Sequence, residues 1–245
     1  MLEIKELHKR FGSLHAVRGV SFTVKKGEVL GFLGPNGAGK STTMRMITGF
    51  LPPTSGTAIV NGHDVVTDAI SAKKEIGYLP ENAPVYGEMT VLNFLRFAAE
   101  IRGFCGSEQR NRVDDAIESA HLGSVRNQTI GTLSKGYKQR TCFAQAILHD
   151  PPILIMDEPT DGLDPNQKQV VRTMIREMAS RKAIVISTHI LEEVEALCSR
   201  VIIIARGKIV ANGTPSELKS RSPGGRLEDV FRDLTLGEEP LHKAV

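Results

Sequence analysis

Eight residues, Gly34-Pro35-Asn36-Gly37-Ala38-Gly39-Lys40-Ser41, carry the spacing G-x-x-x-x-G-K-[ST]. Glycines let a backbone curl round a phosphate without Cβ clashes. The amides of such a loop, with the N-terminus of the helix that follows, then point at the anion. Lys40 would reach the β- and γ-phosphates of a nucleotide, and the Ser41 hydroxyl would ligate Mg²⁺. Thr42 follows directly and shares that helix start. A second reactive pair, Asp157-Glu158, comes after the apolar run Ile153-Leu154-Ile155-Met156. That pattern puts two carboxylates at the exit of a buried strand. Asp157 would hold Mg²⁺ through its water shell, and Glu158 would polarise an attacking water. Between the two blocks lies Leu133-Ser134-Lys135-Gly136-Tyr137. Ser134 suits a helix N-cap and Gly136 allows close approach in the first turn, which makes a second anion site.

These side chains need a scaffold, and the hydrophobic pattern predicts one. Val29–Leu33, Ile76–Leu79, Ile153–Met156, Ala183–Ile186 and Val201–Ala205 are nearly continuous apolar runs. Such runs suit parallel strands covered on both faces by helices. Val170, Val171, Met174, Ile175 and Met178 recur at helical spacing between two of them, a β-α-β crossover. Leu2–His8, Val20–Val24 and Thr57–Val60 alternate or sit between turn signals, which predicts an antiparallel sheet near the loop. From residue 90 to about 149 the pattern is helical, opened by Thr90 as an N-cap. The fold class is therefore α/β, with an antiparallel β subdomain and a helical subdomain inserted at about 82–150. One domain over 1–220 and a short extension over 221–245 are expected, and the last residues of that extension should fray.

Composition narrows the function classes. The chain has 245 residues, with 40% hydrophobic and 24% charged residues, an ordinary globular balance. A net charge of +3 gives no electrostatic case for nucleic acid as a partner. Cys105, Cys142 and Cys198 lack C-x-x-C spacing and read as reduced, small buried hydrophobes in a cytosolic protein. No secretory leader is evident, and no run approaches the ~20 apolar residues that span a bilayer. Work at a membrane would need a partner to hold the chain there.

Taken in order, these blocks resemble an ABC-transporter ATPase subunit over nearly the whole length. The family's LSGGQ signature stands altered here as Leu133-Ser134-Lys135-Gly136-Tyr137, with Lys135 and Tyr137 in place of glycine and glutamine. The Walker B motif and catalytic glutamate match Ile153–Glu158, the D-loop matches Gly162-Leu163-Asp164, and the switch histidine falls at His189. Phe11 takes the place of the aromatic that stacks on adenine, and its ring keeps the π-face. The Q-loop glutamine is replaced by Glu81, after Ile76-Gly77-Tyr78-Leu79-Pro80. That run and the Lys-Gly-Tyr signature resemble type-2 ABC exporter ATPases, including gliding-motility-like ones. Plainer readings stand beside these: Asp164 before Pro165 suits a helix N-cap, His189 a helix start, Phe11 a core position, and Lys135, Lys138 and Arg140 a solvated face.

The resemblance implies a P-loop NTPase core of ABC ATPase type that binds ATP and Mg²⁺ and hydrolyses ATP. Phe11, residues 34–42, Asp157, Glu158 and His189 would form one half of the site, with Glu81 beside the metal. Ser134, Lys135, Gly136 and Tyr137 of a second subunit would close over it, and Asp164 would couple the two sites. A homodimer is expected over a heterodimer. An integral membrane permease, gripped near Glu81–Glu88, would tie the protein to the cytoplasmic face of the cell membrane, with export the expected direction. The alternatives are a soluble ABC-type ATPase acting on nucleic acid or ribosomes, and a regulatory subunit with little hydrolysis. Glutamate at position 81 keeps an oxygen for Mg²⁺ and loses the amide donor. Mg²⁺ titration of ATP hydrolysis should therefore show a tighter metal dependence for the native chain than for Glu81→Gln; coincident curves would remove Glu81 from the metal's surroundings.

Overall fold

The computed structural model describes residues 1–82 and 84–236. Two sheets form its frame. Strands β1 (Leu2–Phe11) and β2 (Leu14–Val24) make a hairpin that β4 (Ser55–Val60) and the two-residue β5 (His63–Asp64) extend in the antiparallel order β2-β1-β4-β5. The second sheet runs β10-β9-β3-β8-β7-β6, from β3 (Val29–Leu33), β6 (Ile76–Leu79), β7 (Ile153–Asp157), β8 (Ala183–Thr188), β9 (Arg200–Ala205) and β10 (Lys208–Gly213). Five of its strands are parallel, as the continuous apolar runs predict. The sixth, β10, pairs antiparallel with β9 and closes one edge; the sequence reading did not anticipate it.

Side-chain alternation on the large sheet explains its unbroken apolar strands. Leu30, Phe32, Ile153, Ile155, Ile202 and Ile204 face one core, shared with the antiparallel sheet and with helix α1 (Lys40–Ile47). Val29, Leu33, Leu154, Met156, Val201 and Ile203 face the other. Both faces are buried, so a period of two leaves no polar position. Helix α2 (Ala69–Lys74) leads into β6. The second core receives α3 (Val91–Ile101), α4 (Gly106–Ser119), α5 (Lys135–Ile147), α6 (Pro165–Ala179) and α7 (Leu191–Leu197). Thr90 caps α3 by accepting from the Asn93 amide, as its sequence position predicts. Helices α8 (Pro215–Lys219) and α9 (Leu227–Leu236) follow β10. Leu218, Leu227 and Val230 are buried in the same core, so the segment after 215 packs with the sheet. The expected fraying of the last residues falls on 237–245, outside the described residues.

Cys142 and Cys198 are buried, and burial pushes both thiols up to about 12. Cys105 is exposed, against the expectation for all three. Arg140, also expected on a solvated face, is 4% exposed, with Nη1 donating to the His121 carbonyl at 2.8 Å.

His149, after α5, joins the helical insertion to the sheet. Its Nε2 lies 3.1 Å from the Ile76 carbonyl, and its buried Nδ1 has no hydrogen-bond partner among the described residues. Burial, with Arg102 nearby, holds its pKa down at about 4. Unfolding lets the ring charge near pH 6.5, whereas the folded ring stays neutral to about pH 4. Stability from this group is thus complete above pH 6.5 and falls as pH drops toward 4, by on the order of 3 kcal/mol. Urea titrations across that window should show a shallower loss for His149→Gln, whose amide can still donate to Ile76.

Candidate active site

The loop 34–39 leaves the end of β3 and enters α1. Gly39 has φ +104°, and a Cβ there would lie 2.7 Å from the Ala16 carbonyl oxygen, so glycine is required both by dihedral and by space. Lys40 is 6% exposed. Its Nζ turns back on the loop and donates to the carbonyls of Gly34 at 2.8 Å and Pro35 at 3.3 Å. The carboxylate Oε1 of Glu158 lies 3.6 Å away. A curled backbone with a buried cation at its mouth is a cradle for phosphate oxygens.

The two acids at the end of β7 differ in what holds them. Asp157 is 1% exposed, and its Oδ1 accepts from Ser41 Oγ at 3.2 Å and from Ser187 Oγ at short range. Ser187 stands opposite Asp157 in the parallel pairing of β7 with β8. The Ser41 hydroxyl and Asp157 carboxylate form an oxygen-only set suited to a hard cation that keeps water and phosphate among its ligands. Glu158 sits just past the strand at φ +48°, a left-handed conformation uncommon for a residue with a side chain. Its amide donates to the Ser187 carbonyl at 3.0 Å. This sharp exit from β7 turns the carboxylate toward Lys40 and toward His189, whose Nδ1 lies 3.0 Å from Glu158 Oε2. His189 precedes α7, and Ile190 holds the N-cap position.

A cleft of about 630 Å³ collects these groups except Asp157, which lies beneath it, bonded to Ser41. Phe11, Asn36, Gly37, Gly39, Lys40, Ser41, Thr42, Glu81, Glu158 and His189 line it. Phe11 is 48% exposed, which sets aside its reading as core, and Lys9 Nζ lies 5.2 Å from its ring centroid. Gly34 and Ala38 of the loop are buried, and neither they nor Pro35 line the cleft. Glu81 is exposed. Sequence reasoning missed Leu14, Ala16 and Asp161, which also line the cleft, and Ser187 beneath it. Only strand pairing places Ser187 there, and Asp161 is signalled by no more than its nearness to Glu158.

Ser134, Lys135, Gly136 and Tyr137 are absent from that lining. Ser134 occupies the N-cap position of α5, yet its side chain makes no capping hydrogen bond, contrary to the expected role. Asp164 does cap α6, accepting from the Asn166 and Gln167 amides at 3.0 Å each, with Pro165 at the first helical position.

The model of the family described as "ABC transporter" matches residues 17–161. A probable multidrug ABC transporter ATP-binding protein of Escherichia coli, YbhF, is 39% identical over 240 residues, covering 96% of this chain and 41% of that protein. The chain thus spans about two fifths of the length of that relative. The linearmycin resistance ATP-binding protein LnrL of Bacillus subtilis is 38% identical, with 93% of this chain and 73% of that protein covered. A solved ATP-binding subunit of an ABC transporter superposes with a TM-score of 0.85 at 30% identity, covering 96% of this chain and 99% of its own.

Proposed function

The chain belongs to the ABC transporter family of ATP-binding domains, and from that premise we propose that it is the ATP-hydrolysing subunit of an exporter, working on a membrane permease through ATP-dependent closure of two such subunits. The single observation that carries this reading is the convergence of Lys40, Ser41, Glu158 and His189 on one cleft, with the buried Asp157 accepting from Ser41 beneath it. Phosphoryl transfer needs positioning and electrostatic stabilisation more than covalent chemistry, and these groups supply both. Bound Mg²⁺ would neutralise charge on the β- and γ-phosphate oxygens. Ser41 and Asp157 would hold that ion. Lys40 would exchange the carbonyls of Gly34 and Pro35 for phosphate oxygens. That exchange frees the Glu158 carboxylate to accept a proton from water, while His189 keeps its orientation. Phe11 would offer a face to the base.

The cleft carries its charges on Lys40, Glu81, Glu158 and Asp161. Since residues 134–137 do not line it, we assign them to the site of a second subunit, where the start of α5 and the uncapped Ser134 hydroxyl would face the γ-phosphate. Asp164, fixed at the start of α6, would stand between the two sites. Among the described residues no helix is long and apolar enough to cross a membrane, so attachment to the cytoplasmic face would come through the permease.

A second groove, of about 660 Å³, suits that partner. Phe50, Tyr78, Pro80 and Pro84 line it beside Arg45, Lys73 and Arg102, with no carboxylate in its lining among the described residues. Phe50 is 74% exposed. Arg102 is half-buried with no acceptor among the described residues, and burial lowers its pKa. A permease helix entering here would therefore present apolar residues and an acid.

Two experiments test these assignments. Glu158→Gln removes the proton acceptor and should give an ATP-trapped dimer without turnover; normal turnover would strip Glu158 of its role. A photo-crosslinking residue at position 50 should attach, in cells, to a cytoplasmic segment of an integral membrane protein. Arg102→Glu should cut that yield by about fivefold or more, in line with the cost of like charges at an interface. Attachment only to soluble proteins would sink the docking assignment.

A further inference from the structure

Lys135 stands at the first position of α5, and no acidic residue lies in that helix's first turn. Its only ion pair among the described residues is with Asp161, Nζ to Oδ2 at 3.9 Å. The ammonium rests over Gly162, at φ +64°, where a Cβ would collide with it. Asp161 is also a lining residue of this chain's own nucleotide cleft. One long side chain therefore ties the signature segment to the cleft that the segment itself does not line.

The pair is built to exchange. Both side chains are about half exposed, 60% for Lys135 and 46% for Asp161. Ion pairs of that kind contribute little, because water screens them and two flexible chains must be held. A γ-phosphate carries more charge than a carboxylate, and closure of two subunits around it excludes water and strengthens the attraction. Ser134 makes no capping hydrogen bond and the first turn of α5 carries no acid, so both would face the same anion in that arrangement.

We propose that Lys135 is an exchangeable γ-phosphate ligand: Asp161 of its own chain holds it in the open subunit, and it passes to the ATP of a partner subunit on closure. This rests on the composite-site reading above. It adds a cation where the family signature carries glycine, and it gives each cleft a means of sensing closure, since Asp161 loses its partner only when Lys135 engages the other site.

The test uses ATP-driven dimerisation in the Glu158→Gln background, read by sedimentation across an ATP titration. Lys135→Gln should raise the half-saturating ATP concentration about tenfold or more, and Lys135→Arg should restore most of the loss. Asp161→Asn should lower that concentration, because it releases Lys135, and the lowering should vanish when Lys135→Gln is also present. If the pair only stabilised the fold, both substitutions would weaken dimerisation, since both break the same contact. Shifts in the same direction, or an unchanged midpoint for Lys135→Gln, would overturn the inference while leaving the composite site standing. No ATP-dependent dimer with Lys135 intact would instead overturn the composite-site reading, and this inference with it.

Discussion

Burial of the Lys40 ammonium is the constraint on which the rest of the molecule depends. A cation at 6% exposure costs several kcal/mol unless paired and hydrogen-bonded. Here the loop supplies two carbonyls and β7 supplies the Glu158 carboxylate. For both to arrive, β3 and β7 must end at the same edge of the sheet, one strand apart with β8 between them. The registers achieve this: Leu33 stands opposite Thr188, and Asp157 opposite Ser187. Ligands in open α/β sheets sit outside the carboxyl ends of strands for this reason, because the loops leaving those ends converge.

The same neutralisation leaves the site ready to change partners. Neutral carbonyls hold an ammonium less strongly than phosphate oxygens do. The Glu158 carboxylate lies between Lys40 and His189, 3.6 Å from the ammonium and 3.0 Å from the ring nitrogen. Its left-handed backbone is tolerated because the amide hydrogen bond to Ser187 fixes the turn.

Around this edge the chain divides its labour by layer. One face of the large sheet is committed to the antiparallel sheet, whose hairpin brings Phe11 to the cleft. The other face carries the helical insertion, which keeps residues 134–137 out of the lining of the cleft and puts Arg102 in that of the second groove. The cleft, the signature segment and the second groove thus occupy different parts of one framework.

Local chemistry made much of this legible in the sequence. The loop 34–41, the acids after β7, the five parallel strands and the Thr90 and Asp164 caps are each specified by residues within a few positions of one another, so spacing alone determines them. What depended on distant segments was hidden. The β10 edge, the packing of α9 and the Ser187–Asp157 contact arise from pairing across tens of residues. Arg140 and Cys105 were misjudged because burial is a property of neighbours in space. Ser134 has the right residue type for a cap, yet its side chain makes no capping hydrogen bond, which residue type alone does not decide. The sequence by itself determined which residues can handle a phosphate; only the tertiary structure decided which of them share a cleft, because strand order and register, set by burial of both sheet faces, bring their ends together.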